Sequence, residues 1–155
     1  MMNNHFTIGV TGHRKLPEKQ IPNIEQSIKD FFIEKQNIYG SSNITVLSSL
    51  AEGVDMLCAR LAVDMGLRLV VALPINTMEY RKDFSGTVVI EYDFLLSMAD
   101  EIFTVIPEEP VPVNLSRGFY YRQAGIYVVK IAIFFWLFGI AWNEIPLMAR
   151  GRGKR

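Results

Sequence analysis

Cysteine is nearly absent: Cys58 is the only one in 155 residues. An internal disulfide and a cysteine-rich metal site are both excluded, and a lone thiol fits a reducing cytosol. Histidine is almost as scarce. His5 and His13 are the whole supply, too few for a histidine-built metal centre. No Ser-His-Asp or Cys-His pattern for nucleophilic hydrolysis is legible. An excess of one charge sign is missing too: 16 acidic residues balance 16 basic ones. No global field therefore attracts nucleic acid or an anionic membrane surface, and any anion must be held locally. The apolar run IAIFFWLFGIAW, 131–142, falls short of the roughly 20 residues a spanning helix needs. Lys130 stops its backward extension, and it reads as a buried element. The opening MMNNHF has no basic segment followed by an apolar stretch, so no signal peptide is read there. The expectation is a cytoplasmic protein with no metal, no cofactor, no membrane and no nucleic-acid partner.

What is present is a regular alternation. Half the residues are hydrophobic, enough for one domain's core. The pattern predicts strands over 6–11, 44–47, 67–73 and 101–106. LRLVVAL, 67–73, is almost wholly apolar, as a strand covered on both faces should be. Between the strands lie helical patterns. One runs from about Pro17 with Ile21, Ile24, Ile28, Phe31 and Phe32 at helical spacing. A second spans 55–65 and closes at Gly66. A third spans 77–99 with a break near Ser85 and Gly86, and a fourth spans 116–129. PEEPVPV, 107–113, is a stiff loop. This order predicts an α/β fold, a parallel sheet with helices on both faces. In such sheets ligands sit at the carboxyl ends of the strands.

The polar clusters fall at those ends. The first is Thr11-Gly12-His13-Arg14, after the first strand. A glycine for close backbone approach, free N–H groups, a hydroxyl and a guanidinium suit a phosphate. Neither G-x-G-x-x-G nor a Walker A lysine-serine pair is present, so a solvated turn remains open from these residues alone. The second is SSLAEGVD, 48–55. Ser48 and Ser49 end a strand, Gly53 occupies the turn, Asp55 is placed to cap the next helix, and Glu52 is a carboxylate at its entrance. The third runs from Pro74 to Tyr80 and Asp83, with Tyr80 placed to stack on a base. Arg81 and Lys82 suit a solvated helix edge. The fourth is FYYRQAG, 119–125, where Tyr120 and Tyr121 suit a helix core and Arg122 can reach an anion.

GVTGHRKL, then SSLAEGVDMLCARLA, then LVVALPINTMEYRKDF together resemble the SLOG superfamily. That Rossmann-like group contains the DNA-processing protein A family and the cytokinin-activating LOG enzymes. The likeness is nearest to YpsA-like and defence-associated members and covers about residues 6 to 129. It implies a Rossmann-like sheet, a nucleotide-derived ligand at its carboxyl edge, and a homo-oligomer. It implies ligand contacts from Gly9, Thr11, Gly12, His13 and Arg14. A second set is Ser48, Ser49, Ala51, Glu52, Gly53 and Asp55. The remaining contacts are Pro74, Tyr80, Tyr121, Ala124 and Gly125.

The family's next strand usually leads into a Gly-Gly-Thr phosphate loop. Here the chain reads VVKIAIFFWLFGIAWNEIPLMARGRGKR. The expectation is a nucleotide-binding core over 1–129 and an atypical segment over 130–155, a variant, truncated or frame-shifted end that completes or replaces the last strand. Arg150, Arg152, Lys154 and Arg155 suit a solvated terminus. The expected function is binding or sensing of a nucleotide-derived ligand. The alternative is an enzyme cleaving an N-glycosidic bond, with Glu52 as the carboxylate and Arg14 as the phosphate anchor; the missing loop counts against it. Single-stranded DNA binding is a third reading, disfavoured by zero net charge.

Overall fold

A computed structural model describes residues 5–12, 14–107, 116–131 and 133–137. His13, most of the proline loop at 107–113, and the tail beyond 137 lie outside the described residues. The elements are β1 (Phe6–Gly12), α1 (Ile21–Tyr39), β2 (Ile44–Ser48), α2 (Val54–Asp64), β3 (Arg68–Leu73), α3 (Thr77–Arg81), α4 (Thr87–Met98), β4 (Glu101–Thr104), α5 (Arg117–Ile131) and β5 (Ile133–Leu137).

The strands form one sheet in the order β4-β3-β2-β1-β5, and every described pairing is parallel. Side chains alternate across it, as the pleat requires. Ile8 and Val10 of β1, Val46 of β2, and Leu69, Val71 and Leu73 of β3 point into a core shared with α1, α2 and α4. Leu47, Val70 and Ala72 point the other way, against Ala124 and Val128 of α5. The fold is therefore α/β and Rossmann-like, with helices on both faces of a parallel sheet. β2 is buried along its whole length and β3 from Leu69 to Leu73, because neither face meets water.

The chain walks outward from β1 through β2 and β3 to β4. Then α5 carries it back across the opposite face, and β5 pairs with the free edge of β1. Strand order thus reverses beside β1, and open α/β sheets place a crevice at the carboxyl ends of such strands.

Boundaries moved for local reasons. The first helix starts at Ile21, with Pro22 rather than Pro17 in its first turn. Gly86 has φ 57°, which divides the third helical pattern into α3 and α4. The start of α2 is Val54, behind Gly53 at φ 96°. Asp55 is consequently inside the first turn and does not cap the helix; the capping position belongs to Gly53, which has no side chain to do so. β4 stops at Thr104, short of the expected 106. No described helix is long and apolar enough to cross a membrane.

One contact fixes how closely β1 and α2 approach. A Cβ added to Gly12 would lie 2.9 Å from Cβ of Val54, which is fully buried. Only a hydrogen fits there. Gly12→Ala should therefore destabilise the fold by about 1–3 kcal/mol through overpacking. Urea unfolding followed by circular dichroism should show a lowered midpoint with an unchanged slope.

Candidate functional site

The carboxyl ends of β1, β2 and β3 enclose a cleft of about 150 Å³. Val10, Thr11, Gly12 and Arg14 line it from β1 and the turn after it. Ser49, Ala51 and Asp55 come from the β2–α2 connection, and Pro74 and Tyr80 from the β3–α3 connection. The remaining wall is one face of α5, where Tyr121, Ala124, Gly125 and Val128 recur at helical spacing.

Eleven of the residues named from sequence thus meet around one space: Thr11, Gly12, Arg14, Ser49, Ala51, Asp55, Pro74, Tyr80, Tyr121, Ala124 and Gly125. Gly9 lies inside β1, paired with Leu47 and Phe134. Ser48 is fully buried behind the cleft. Its Oγ donates to the Asp55 carbonyl at 3.0 Å and accepts from the Leu50 N–H at 3.1 Å. Glu52 is exposed in the turn, and Gly53 is half-buried; neither lines the cleft. Leu50 is the distinctive residue of this turn. It holds φ at 53° while fully buried in the core, a conformation that costs a leucine roughly 1–2 kcal/mol. Its burial offsets that cost, and the turn leaves Ser49 and Ala51 on either side of it facing the cleft.

Three polar features set the chemistry. The Ser49 Oγ is buried and has no hydrogen-bond partner among the described residues, an expensive state unless a bound group satisfies it. Arg14 is exposed, with its guanidinium 5.3 Å from the centre of the Tyr121 ring. Asp55 is buried at the start of α2. Burial pushes its carboxyl up to about 7, against the opposing pull of a backbone hydrogen bond with Ala51 and the Arg14 charge. The same burial, with Asp55 nearby, pushes the Cys58 thiol well up and leaves it unreactive. The Tyr80 phenol is also pushed up, first by burial and then by Asp55, with Arg14 opposing.

The cleft wall is stiff where α3 and α4 meet α5. The Tyr80 ring lies 5.0 Å from Phe84, 5.8 Å from Tyr92 and 5.8 Å from Tyr121, centre to centre. Tyr80 is only 3% exposed, so its ring serves this aromatic cluster first. Around it, the Tyr121 hydroxyl donates to Asp83. Arg117 bonds Asp83 at 2.9 Å and the Glu79 carbonyl at 2.6 Å. These exposed pairs contribute little individually, about 0–1 kcal/mol; the rings do most of the holding.

A larger cavity of about 280 Å³ lies between β4 and α5, lined by Phe103, Val105, Ile126 and Tyr127 among others. Among the described residues no charged side chain lines it, and none there is a counterpart to Arg14. No family model and no curated protein matches the chain.

Sequence reading singled out Glu52 as the carboxylate for chemistry, whereas Asp55 is the one that faces the cleft. The spacing gave one usable signal. Asp55 falls in a run with Val54, Met56, Cys58, Ala59, Leu61 and Ala62, all buried, and a carboxylate within such a run is placed inward.

Asp55 also gives stability a pH dependence of unusual sign. In the unfolded chain it ionises near 3.8, whereas the folded chain holds the proton to about 7. Between those values the unfolded state binds fewer protons, so its contribution to stability falls as pH rises, by up to about 1.4 kcal/mol per unit. Denaturation of wild type and Asp55→Asn from pH 4.5 to 8 should show the difference between them growing to about pH 7 and then levelling.

Proposed function

We propose that this cleft binds the phosphate-bearing end of a nucleotide or nucleotide-derived ligand. The observation that carries the reading is convergence. An exposed guanidinium, an unpartnered buried hydroxyl and the start of an eleven-residue helix border one small cleft where strand order reverses. Backbone N–H groups at a helix start and an arginine are what phosphate oxygens require. The volume, about 150 Å³, is below the roughly 300 Å³ of a drug-sized pocket. It suits a phosphate with part of its sugar, leaving the base toward the rim. The order of the three motifs is that of the SLOG superfamily, and membership of that group is part of the same proposal. So is a cytoplasmic location, which the single buried thiol suits.

One observation favours a second reading, cleavage of an N-glycosidic bond. Asp55 holds a proton near neutral pH within the cleft, as a general acid for a departing base must. Water would then add to the sugar carbon as the base leaves with the Asp55 proton, and the water's surplus proton would return to the Asp55 carboxylate.

Binding and cleavage separate in one set of measurements. At about a hundredfold excess over Kd, a true ligand adds about 2.7 kcal/mol, or roughly 5–10 °C in Tm for a domain of this size. Among AMP, ADP-ribose, NAD and cyclic ADP-ribose, at least one should produce such a shift, and Arg14→Gln should remove most of it. Four flat curves from folded protein would sink the binding reading. Chromatography of the same mixtures tests the second reading. Free base should accumulate with wild type and fall at least tenfold with Asp55→Asn; no free base from any nucleotide rejects catalysis and leaves binding.

A further inference from the structure

Resting on the phosphate reading of the cleft, we propose that Asp55 contacts the bound anion as a hydrogen-bond donor, so that wherever the free carboxyl is ionised each anion bound brings one proton into the site. The argument begins with crowding. Arg14, Ser49, Asp55 and Tyr80 border the same space of about 150 Å³, and a phosphate-sized group inside it meets several walls at once. An ionised carboxylate is an acceptor only, like the phosphate oxygens themselves. Placed together in a partly desolvated cleft, the two repel. A carboxylic acid instead supplies a donor. With Asp55 neutral, the cleft lining gains an O–H donor to add to the hydroxyl-bearing Thr11, Ser49 and Tyr80, beside one guanidinium.

Local charge leads to the same result. The chain has no net charge to draw an anion, so attraction must come from the cleft. Arg14 opposite an ionised Asp55 sums to zero, whereas Arg14 opposite the acid leaves one positive charge. The free protein is already prepared for this, because burial outweighs the Ala51 backbone hydrogen bond and the Arg14 charge and keeps the Asp55 carboxyl protonated to about 7. The groups around Asp55 do not titrate in its place. Cys58, on the same helix, and Tyr80, from α3, are both pushed up by burial. Arg14 stays a cation. Tyr121 of α5 lines the opposite wall, and Asp83 beyond it is engaged by Arg117 and the Tyr121 hydroxyl. His13, adjacent to Arg14 in sequence, belongs to the residue type that titrates near neutrality, and the experiment controls for it.

Sulfate is the probe, because it does not titrate between pH 6 and 8 and any proton taken up belongs to the protein. Calorimetric titration of the full chain with sulfate, in two buffers of different ionisation enthalpy, counts those protons. Wild type should take up close to one proton per sulfate at pH 8 and almost none at pH 6. Its Kd should be about tenfold weaker at pH 8, following the fraction of chains holding the acid. His13→Asn should still take up close to one proton per sulfate at pH 8, whatever its affinity. Asp55→Asn, a neutral donor of the same shape, should bind with no uptake and a Kd independent of pH. Sulfate binding by wild type without uptake at pH 8 overturns the inference. So does uptake that vanishes in His13→Asn but persists in Asp55→Asn. Sulfate that fails to bind while AMP still raises Tm overturns the inference and spares the phosphate reading. If neither anion has any effect, both fall.

Discussion

A parallel strand can be extended into a sheet only through a crossover, and β1 accepts one on each edge. The first leads through α1 to β2, and the last returns through α5 to β5. Because the two crossovers pass over opposite faces, α2 and α5 flank the carboxyl end of β1 from opposite sides. The cleft exists in that gap. Gly12 sets its depth, since the end of β1 lies against Val54 with no room for a Cβ. Thr11 and Arg14 are then presented beside α2 instead of being splayed away from it.

The second dependence is electrostatic. A buried carboxyl beside an exposed guanidinium usually forms a salt bridge. Here no described ion pair joins Asp55 to Arg14; the arginine sits instead against the Tyr121 ring. Burial outweighs the pull of that arginine on Asp55 and leaves an acid at the cleft wall. The Ser49 hydroxyl beside it has no partner among the described residues. A purely structural turn would be expected to satisfy that hydroxyl internally, as Ser48 is satisfied by Asp55 and Leu50.

Much of the fold was legible because its signals are local. Apolar runs such as that of β3 announce strands covered on both faces, and the spacing of Ile24, Ile28, Phe31 and Phe32 announces α1, whose buried face they form. Glycines marked turns reliably, since Gly53, Gly66 and Gly86 all take positive φ. Helix starts were less legible. Pro17 and Pro22 both satisfy the first-turn preference, and Asp55 is a good cap by composition; packing against β1 decided that α2 begins one residue earlier. At the site, residue types and strand ends pointed to Thr11, Gly12, Arg14, Ser49 and Tyr80, whereas Ala51, Tyr121, Ala124 and Gly125 were named only through the SLOG resemblance. Residue types did not rank Glu52 against Asp55, because both stand at a helix entrance; only the apolar run around Asp55 hinted at its burial.

By itself, then, the sequence determined the alternation of strand and helix, the two-sided burial of the sheet and the edge where polar loops gather. Each follows from side-chain periodicity and backbone preference over a few residues. Tertiary structure alone decided that β5 closes the free edge of β1 and that α5 supplies a wall of the cleft. It also decided which of two carboxylates enters the cleft and keeps its proton. Those outcomes depend on desolvation and on contacts between residues some 65 to 130 positions apart, such as Asp55 with Tyr121 around one cleft and Ile8 with Ile133 across one ladder. Periodicity within a short window carries no information at that range.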